Sequence, residues 1–492
     1  MNFSHSPRRR FAFTFFLLFN LTLISFSPGV AARAGWQKKT KRAAAATAST
    51  PPTPAPTAAP RQPAQLINRV LANGLEVIVL ADHAVPLVTV ELAVKNGSYT
   101  EPPEFNGLSH LYEHMFFKAN RATVNQEEYL KTAGQLGITY NAQTNTELVN
   151  YYYTTTSPNL RTTLNLMRDA ARYPLFDEGQ LAQEREVVIG EIDRNESNPY
   201  FYLNREMMDR LFYKYPSRKN PLGNRQTVSG ATSEMMRTIQ QRYYVPNNSA
   251  LVVTGDVQPE EVFRLAQEFY GDWPRADEPF VKYPLVEHPP LAKSEAVVIK
   301  QNIQNVIIEI GWHGPSIGAD NPGSYAADVF SFILQQPNSR FQRALVDSGL
   351  VTGVSISYLT QRNVGPITII AQTTPEKARA AVRAIYNEVG HFNDPDYFSD
   401  EQLESAKGLL EAEDLYSREK LSEYVHSISF WWASTGIEYF RGYLGNLRQT
   451  SRADISRYAT NYIQGKPHVA VALMSPASAE TSKLTEVELK GE

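Results

Sequence analysis

From residue 66 onward, apolar positions first run at strand spacing and then at helical spacing, and each change of period marks a new element. Residues 74–80 and 87–94 predict strands. Leu108, Leu111, Tyr112, Met115 and Phe116 then recur three and four apart, an apolar stripe that predicts a helix, with Asn106-Gly107 after Pro102-Pro103 as its start. A second helix is predicted from Asn125, with Glu128 in the capping-box position, toward Gly134. Residues 138–144 and 148–156 read as two strands, in the second of which Val149, Tyr151 and Tyr153 share a face. Helices follow at about 160–172, 178–196 and 201–211, and a strand at 250–253 ends at Gly255-Asp256. The Pro-rich stretch 279–290 predicts a linker.

The pattern then repeats. An offset of 218 residues carries Val88, Val90, Leu92 and Val94 onto Val306, Ile308, Ile310 and Trp312, and carries Tyr244 with the strand after it onto Tyr462 and 468–472. Two homologous halves follow, each with its own core.

Composition narrows the chemistry. The chain has 492 residues, enough for two domains of about 200 residues once the ends are removed, and a formal charge of -3 gives no reason to expect nucleic acid as a partner. It has no cysteine, so disulfides, thiolate catalysis and cysteine-held metal are excluded. Arg8-Arg9-Arg10, an apolar run over 11–26 and Ala32-Arg33-Ala34 predict an export signal cleaved near Gly35, with an uncleaved anchor as the alternative. The Ala/Pro/Thr-rich residues that follow cannot bury enough apolar surface to fold and predict a tether. The expected location is the periplasm or cell envelope.

The candidate chemistry lies beside the first apolar stripe. On a helix, His110 and His114 stand one turn apart with Glu113 next to them, so two imidazoles and a carboxylate converge. The order H-x-x-E-H inverts the zinc-protease motif H-E-x-x-H. A catalytic zinc takes three protein ligands and keeps a position open, so a third donor is needed, and it must be His or carboxylate. The predicted helix over 178–196 offers Glu184, Glu186, Glu191 and Asp193; Glu184 and Glu191 are seven apart with Val188 between, but spacing alone leaves all four open. No P-loop, G-x-G-x-x-G or G-x-S-x-G is present. His313, His391, His426 and His468 lack ligand spacing and read as ordinary surface or packing residues.

His110-Leu111-Tyr112-Glu113-His114, followed 77 residues after His114 by Glu191 within 184–191, resembles the pitrilysin/insulinase family of inverted-motif zinc peptidases, as do Asn141-Ala142-Gln143-Thr144 and Tyr243-Tyr244-Val245-Pro246-Asn247. The resemblance runs from about residue 66 to the C-terminus and is strongest to the short, two-domain, processing-peptidase-like bacterial members. It implies an α+β fold of two homologous α/β sandwich domains, each a mostly antiparallel sheet with helices packed on one side. The expected division is a signal at 1–34, a linker at 35–65, a zinc-binding catalytic domain at 66–278, a linker at 279–292 and a metal-free domain at 293–492.

By the same resemblance one Zn2+ per chain is held by His110, His114 and Glu191. Glu184 is then an outer carboxylate near His110, and Asn141, Ala142, Gln143 and Thr144 receive an extended peptide as an added strand. Such a zinc brings the pKa of bound water toward roughly 7, and Glu113 takes its proton as general base to hydrolyse peptide bonds of unfolded polypeptides or oligopeptides. The second half places Asp328, Ser331 and Phe332 where the motif stands, so it carries no metal. Complete relatives also carry an Arg and a Tyr in that half to grip substrate; here Val346 and Thr352 occupy those places, with Arg343 or Tyr358 as substitutes of the wrong spacing. A heterodimer with a homologous subunit carrying the Arg/Tyr pair is expected, with a homodimer as the second assembly. The competing class is a non-hydrolytic, chaperone-like or scaffold subunit.

Overall fold

The computed structural model describes residues 65–492; the signal read at 1–34 and the tether at 35–65 lie outside the described residues, save Gln65. The first half builds one sheet from β1 (Leu66–Val70), β2 (Glu76–Ala81), β3 (Leu87–Val94), β4 (Thr139–Thr144), β5 (Val149–Thr156) and β6 (Ser249–Gly255), in the order β1-β2-β6-β3-β5-β4. The second builds another from β7 (Glu295–Lys300), β8 (Val306–His313), β9 (Gly353–Tyr358), β10 (Pro366–Thr373) and β11 (Val469–Met474), in the order β7-β11-β8-β10-β9. Without β1 the two orders correspond strand for strand, and each sheet has one parallel pair, β2 with β6 and β7 with β11, among antiparallel neighbours. This is the mostly antiparallel α+β architecture that the sequence predicts.

Register sharpens the repeat. Val90 stands opposite Tyr153 and Val253, while Ile308 stands opposite Ala371 and Ala472. The offset is therefore 218 from β3 to β8 and from β5 to β10 but 219 from β6 to β11, one residue more than the sequence expectation. The helices before those last strands end at Tyr243 and Tyr462, so the extra residue enters upstream of them. Because side chains alternate faces, the corrected register is the one that puts Ala470 and Ala472 in the core where Leu251 and Val253 stand in the first half.

Each sheet packs one face on helices of its own half, and the halves exchange a helix to cover the reverse faces. The Pro199–Leu211 helix lays Leu203, Met207 and Leu211 on Ile307, Val471 and Leu473 of the second sheet. The Leu421–Ser434 helix lays Val425, Ile428 and Trp432 on Ile78, Leu80 and Val252 of the first. Burial on both faces explains why 250–253 is apolar without alternation.

Two carboxylates occupy equivalent places on these reverse faces. Glu91 of β3 accepts from Asn150 Nδ2 at 2.9 Å and pairs with His426 Nδ1 of the exchanged helix at 2.5 Å, so His426 is an ion-pairing group between halves rather than an ordinary packing residue. Glu309 of β8 is 4% exposed, and burial pushes its carboxyl up to about 8. Its folded pKa lies above the unfolded value, so the folded state holds the proton more tightly; the contribution of Glu309 to stability is fully present below about pH 4 and is lost as pH rises toward 8. Glu309→Gln is expected to melt several degrees above wild type at about pH 9 and near wild type at about pH 4, read by thermal denaturation at both pH values.

Candidate metal centre

The motif helix spans Leu108–Phe116, and its stripe of Leu108, Leu111, Tyr112, Met115 and Phe116 is buried in the first core. That packing leaves His110, Glu113 and His114 on the strip facing the Glu178–Glu196 helix and the end of β4. No side chain of the helix caps its own N-terminus. Glu101 does so instead: its carboxyl accepts from Gly107 N at 2.8 Å and Ser109 N at 2.6 Å, satisfying two amides at the start of the helix, while burial pushes its pKa up to about 7. Gly107 has φ 89°, and a Cβ there would come within 2.6 Å of Gly223 Cα. Backbone meets backbone at that crossing, so the entry to the helix requires glycine on both sides.

The Glu178–Glu196 helix is capped by Asp177, which accepts from Gln180 N, and buries Leu181, Val188 and Ile192. This rotation turns Glu184 and Glu191 inward and leaves Glu186 and Asp193 exposed. His110 Nε2 lies 3.5 Å and His114 Nε2 3.8 Å from Glu191 Oε2, and the three donor atoms lie within 4.8 Å of one another. Donors about 2.0–2.2 Å from one tetrahedral ion stand roughly 3.3–3.5 Å apart, so the cluster has the size of a zinc site. His114 Nε2 and Glu191 Oε2 are buried without a hydrogen-bond partner, as lone pairs aimed at a cation would be. Burial, with His114 beside it, pulls His110 down to about 3, the neutral state a metal takes. The donor set fits zinc, and among the described residues it is the one such cluster of His and carboxylate.

Glu184 differs from its expected place near His110: it pairs with His114, whose Nδ1 is 3.0 Å from Glu184 Oε2. The other Glu184 oxygen lies 2.6 Å from Lys118 Nζ. Burial alone would raise Glu184, but the His114 and Lys118 contacts bring it below the usual carboxylate value. An ionised Glu184 fixes the His114 tautomer and leaves its Nε2 free for a metal. Lys118 was not a sequence candidate; its signal was its place one turn beyond His114, outside the motif. Glu113 is 8% exposed and accepts from Thr144 Oγ1 at 2.5 Å, while burial raises its pKa.

Thr144 thus meets Glu113 rather than standing clear as a substrate contact. Ala142 packs into the core, and Asn141 Oδ1 accepts from Ala142 N at 3.0 Å; Gln143 sits between them on the same strand. β4 is the last strand of its sheet, so its outer edge pairs with no other strand among the described residues. In the second half Asp328 accepts from Tyr443 Oη at 2.6 Å, while Ser331 donates to Ala327 O and Phe332 packs apolar. Val346 packs on the second core, Thr352 Oγ1 donates to Gln372 O at 3.2 Å, and Tyr358 Oη donates to Pro315 O at 3.0 Å; Arg343 is exposed.

Comparison with known proteins agrees with this geometry. The profile of the insulinase family, peptidase family M16, matches residues 76–225, and that of the peptidase M16 inactive domain matches 230–410. An uncharacterized zinc protease of Rickettsia felis is 24% identical over 356 residues, covering 72% of this chain and 84% of that protein. The zinc protease PqqE of Helicobacter pylori is 25% identical over 295 residues, 59% of this chain and 66% of that protein. A crystal structure of a protease from Helicobacter pylori superposes with a TM-score of 0.76 at 21% identity, over 83% of this chain and 99% of that one.

Glu191→Ala removes one of three donors and is expected to leave the purified protein without stoichiometric zinc. Glu184→Gln is expected to bind zinc about 10–100-fold more weakly while still saturating. Metal analysis and chelator competition read both.

Proposed function

Because the chain belongs to the insulinase family, peptidase family M16, we propose that it is a zinc metalloendopeptidase that hydrolyses unfolded polypeptides or oligopeptides. The observation that carries this reading is the three-donor cluster with Glu113 one residue from a donor and held by Thr144. His110, His114 and Glu191 hold one Zn2+, which when bound polarises the scissile carbonyl and acidifies water enough for attack at neutral pH. Glu113 takes the proton of the attacking water on its free carboxylate oxygen and passes it to the leaving amine. Thr144 keeps the other oxygen engaged, so the carboxylate presents one face to the reaction. Glu184 and Lys118 hold the His114 ring against rotation. Asn141, Ala142, Gln143 and Thr144 offer the open edge of β4, where an extended chain adds by main-chain hydrogen bonds; this favours unfolded over folded substrates.

The enzyme works beyond the cytoplasmic membrane, as the N-terminal sequence suggests; no helix among the described residues is long and apolar enough to cross a membrane. It acts as a heterodimer with a homologous subunit that supplies an Arg/Tyr pair. This is supported by the packing of Val346 and the engaged hydroxyls of Thr352 and Tyr358; Arg343 is exposed but has the wrong spacing to replace the pair.

Glu113→Gln is expected to bind zinc as wild type does and to lose nearly all hydrolysis of an unfolded peptide mixture; a variant with full activity would overturn the role. The purified chain alone is expected to cleave weakly and to gain at least about tenfold on addition of the homologous subunit. Full activity alone would sink the heterodimer, and stoichiometric zinc with no cleavage in either arm would favour the scaffold reading.

A further inference from the structure

The loop 359–365 joins β9 to β10 in the metal-free half, and it meets two buried charges of the catalytic half. Lys219 Nζ donates to Gln361 Oε1 at 2.5 Å, Asn363 O at 2.6 Å and Val364 O at 2.8 Å. Glu147 accepts from the successive backbone amides of Arg362 at 2.7 Å and Asn363 at 2.9 Å. The loop thus presents carbonyls to a cation and a two-amide nest to an anion. Lys219 and Glu147 are 8% and 7% exposed. Burial pulls Lys219 down to about 7, yet three acceptors around one nitrogen require three hydrogens, which only the ammonium has. Val364 holds φ 58°, a left-handed conformation that a β-branched residue rarely adopts, and does so where its carbonyl meets Lys219 and its amide donates to Ser316 Oγ.

Both charges stand one step from the candidate site. Glu147 lies in the β4–β5 turn, three residues after Thr144, and that turn is pinned from below by Tyr99 N donating to Thr146 O at 3.0 Å. Lys219 ends the Pro216–Lys219 turn, whose neighbourhood receives Asn106 Nδ2 at Ser217 O and Asn220 O, both at 3.2 Å, just before the motif helix begins. Gly223, four residues on, makes the crossing with Gly107.

We infer that loop 359–365 is a positioning latch: the metal-free half uses Lys219 and Glu147 to hold the motif helix and the Thr144 end of β4 in register with each other. The two charged groups are positioning residues, since neither touches the donor cluster. The consequence for turnover rests on the peptidase reading above; the consequence for local order does not. An extended peptide on β4 would pull on the strand that carries Thr144, and the latch resists that displacement, so its loss acts on turnover more than on binding.

The test uses the full chain, with Lys219→Met, Gln361→Ala and the double variant. Peptide hydrolysis, zinc content and amide hydrogen exchange are measured on each. Lys219→Met is expected to lower kcat at least about tenfold with KM within about twofold and zinc unchanged. Amide exchange is expected to quicken over 106–109 and 145–148 and stay at wild-type rates in the second core. Gln361→Ala, a change in the metal-free half, is expected to show a smaller loss of the same kind, and the double variant to lose less than the product of the two. If Lys219→Met does not fold, Gln361→Ala and Glu147→Gln decide the matter. Unchanged exchange at both segments, or exchange that quickens uniformly, overturns the latch. A wild-type chain that cleaves nothing removes the peptidase reading and leaves the exchange result to judge the latch alone.

Discussion

Two imidazole nitrogens and a carboxylate oxygen, buried and aimed at one point, constrain everything around them. Unpaired polar atoms inside a protein are expensive, and two of these three, His114 Nε2 and Glu191 Oε2, have no hydrogen-bond partner, as the shell of a cation would leave them. His110, His114 and Glu191 form such a shell from two helices that must keep their angle and spacing. The surrounding groups serve that requirement. Glu184 and Lys118 orient one ring, Thr144 orients the neighbouring carboxylate of Glu113, and Glu101 ties down the first turn of the motif helix. Four buried carboxylates within one small region would repel each other without such partners.

The same requirement explains why a half without metal residues remains part of the structure. Each sheet would expose an apolar reverse face if its half stood alone, and the exchanged helices Pro199–Leu211 and Leu421–Ser434 cover those faces reciprocally. The halves thus share their cores' outer walls. A loop of the second half then reaches Lys219 and Glu147 of the first, so the half without the histidines is tied by hydrogen bonds to segments that flank the donor-bearing one. At the place equivalent to His110, Asp328 closes on Tyr443 instead of opening toward an ion.

Much of the fold was legible because alternation and helical spacing follow from burial of one face at a time. The stripe from Leu108 to Phe116 predicts the motif helix, Asn125 caps the helix beginning at Gln126, and the strands at 138–144 and 148–156 form β4 and β5 within a residue or two. The duplication was legible from Val88 and Val306, yet its last strand was misplaced by one residue, since apolar runs buried on both faces carry no phase.

Local sequence was sufficient wherever partners lie within a turn or two of chain: His110, Glu113 and His114 share a helix face by their spacing alone. It was insufficient wherever partners come from afar. Which acidic residue of the Glu178–Glu196 helix turns inward depends on Leu181, Val188 and Ile192 choosing the core, and so Glu191 reaches the imidazoles while Glu186 remains in water. The pairing of Glu184 with His114, of Glu91 with His426 and of Lys219 with the loop at 361–364 joins residues 70, 335 and up to 145 positions apart. No period or motif encodes such separations; packing brings the groups together, and the low dielectric of the interior then makes each charge depend on the one it meets.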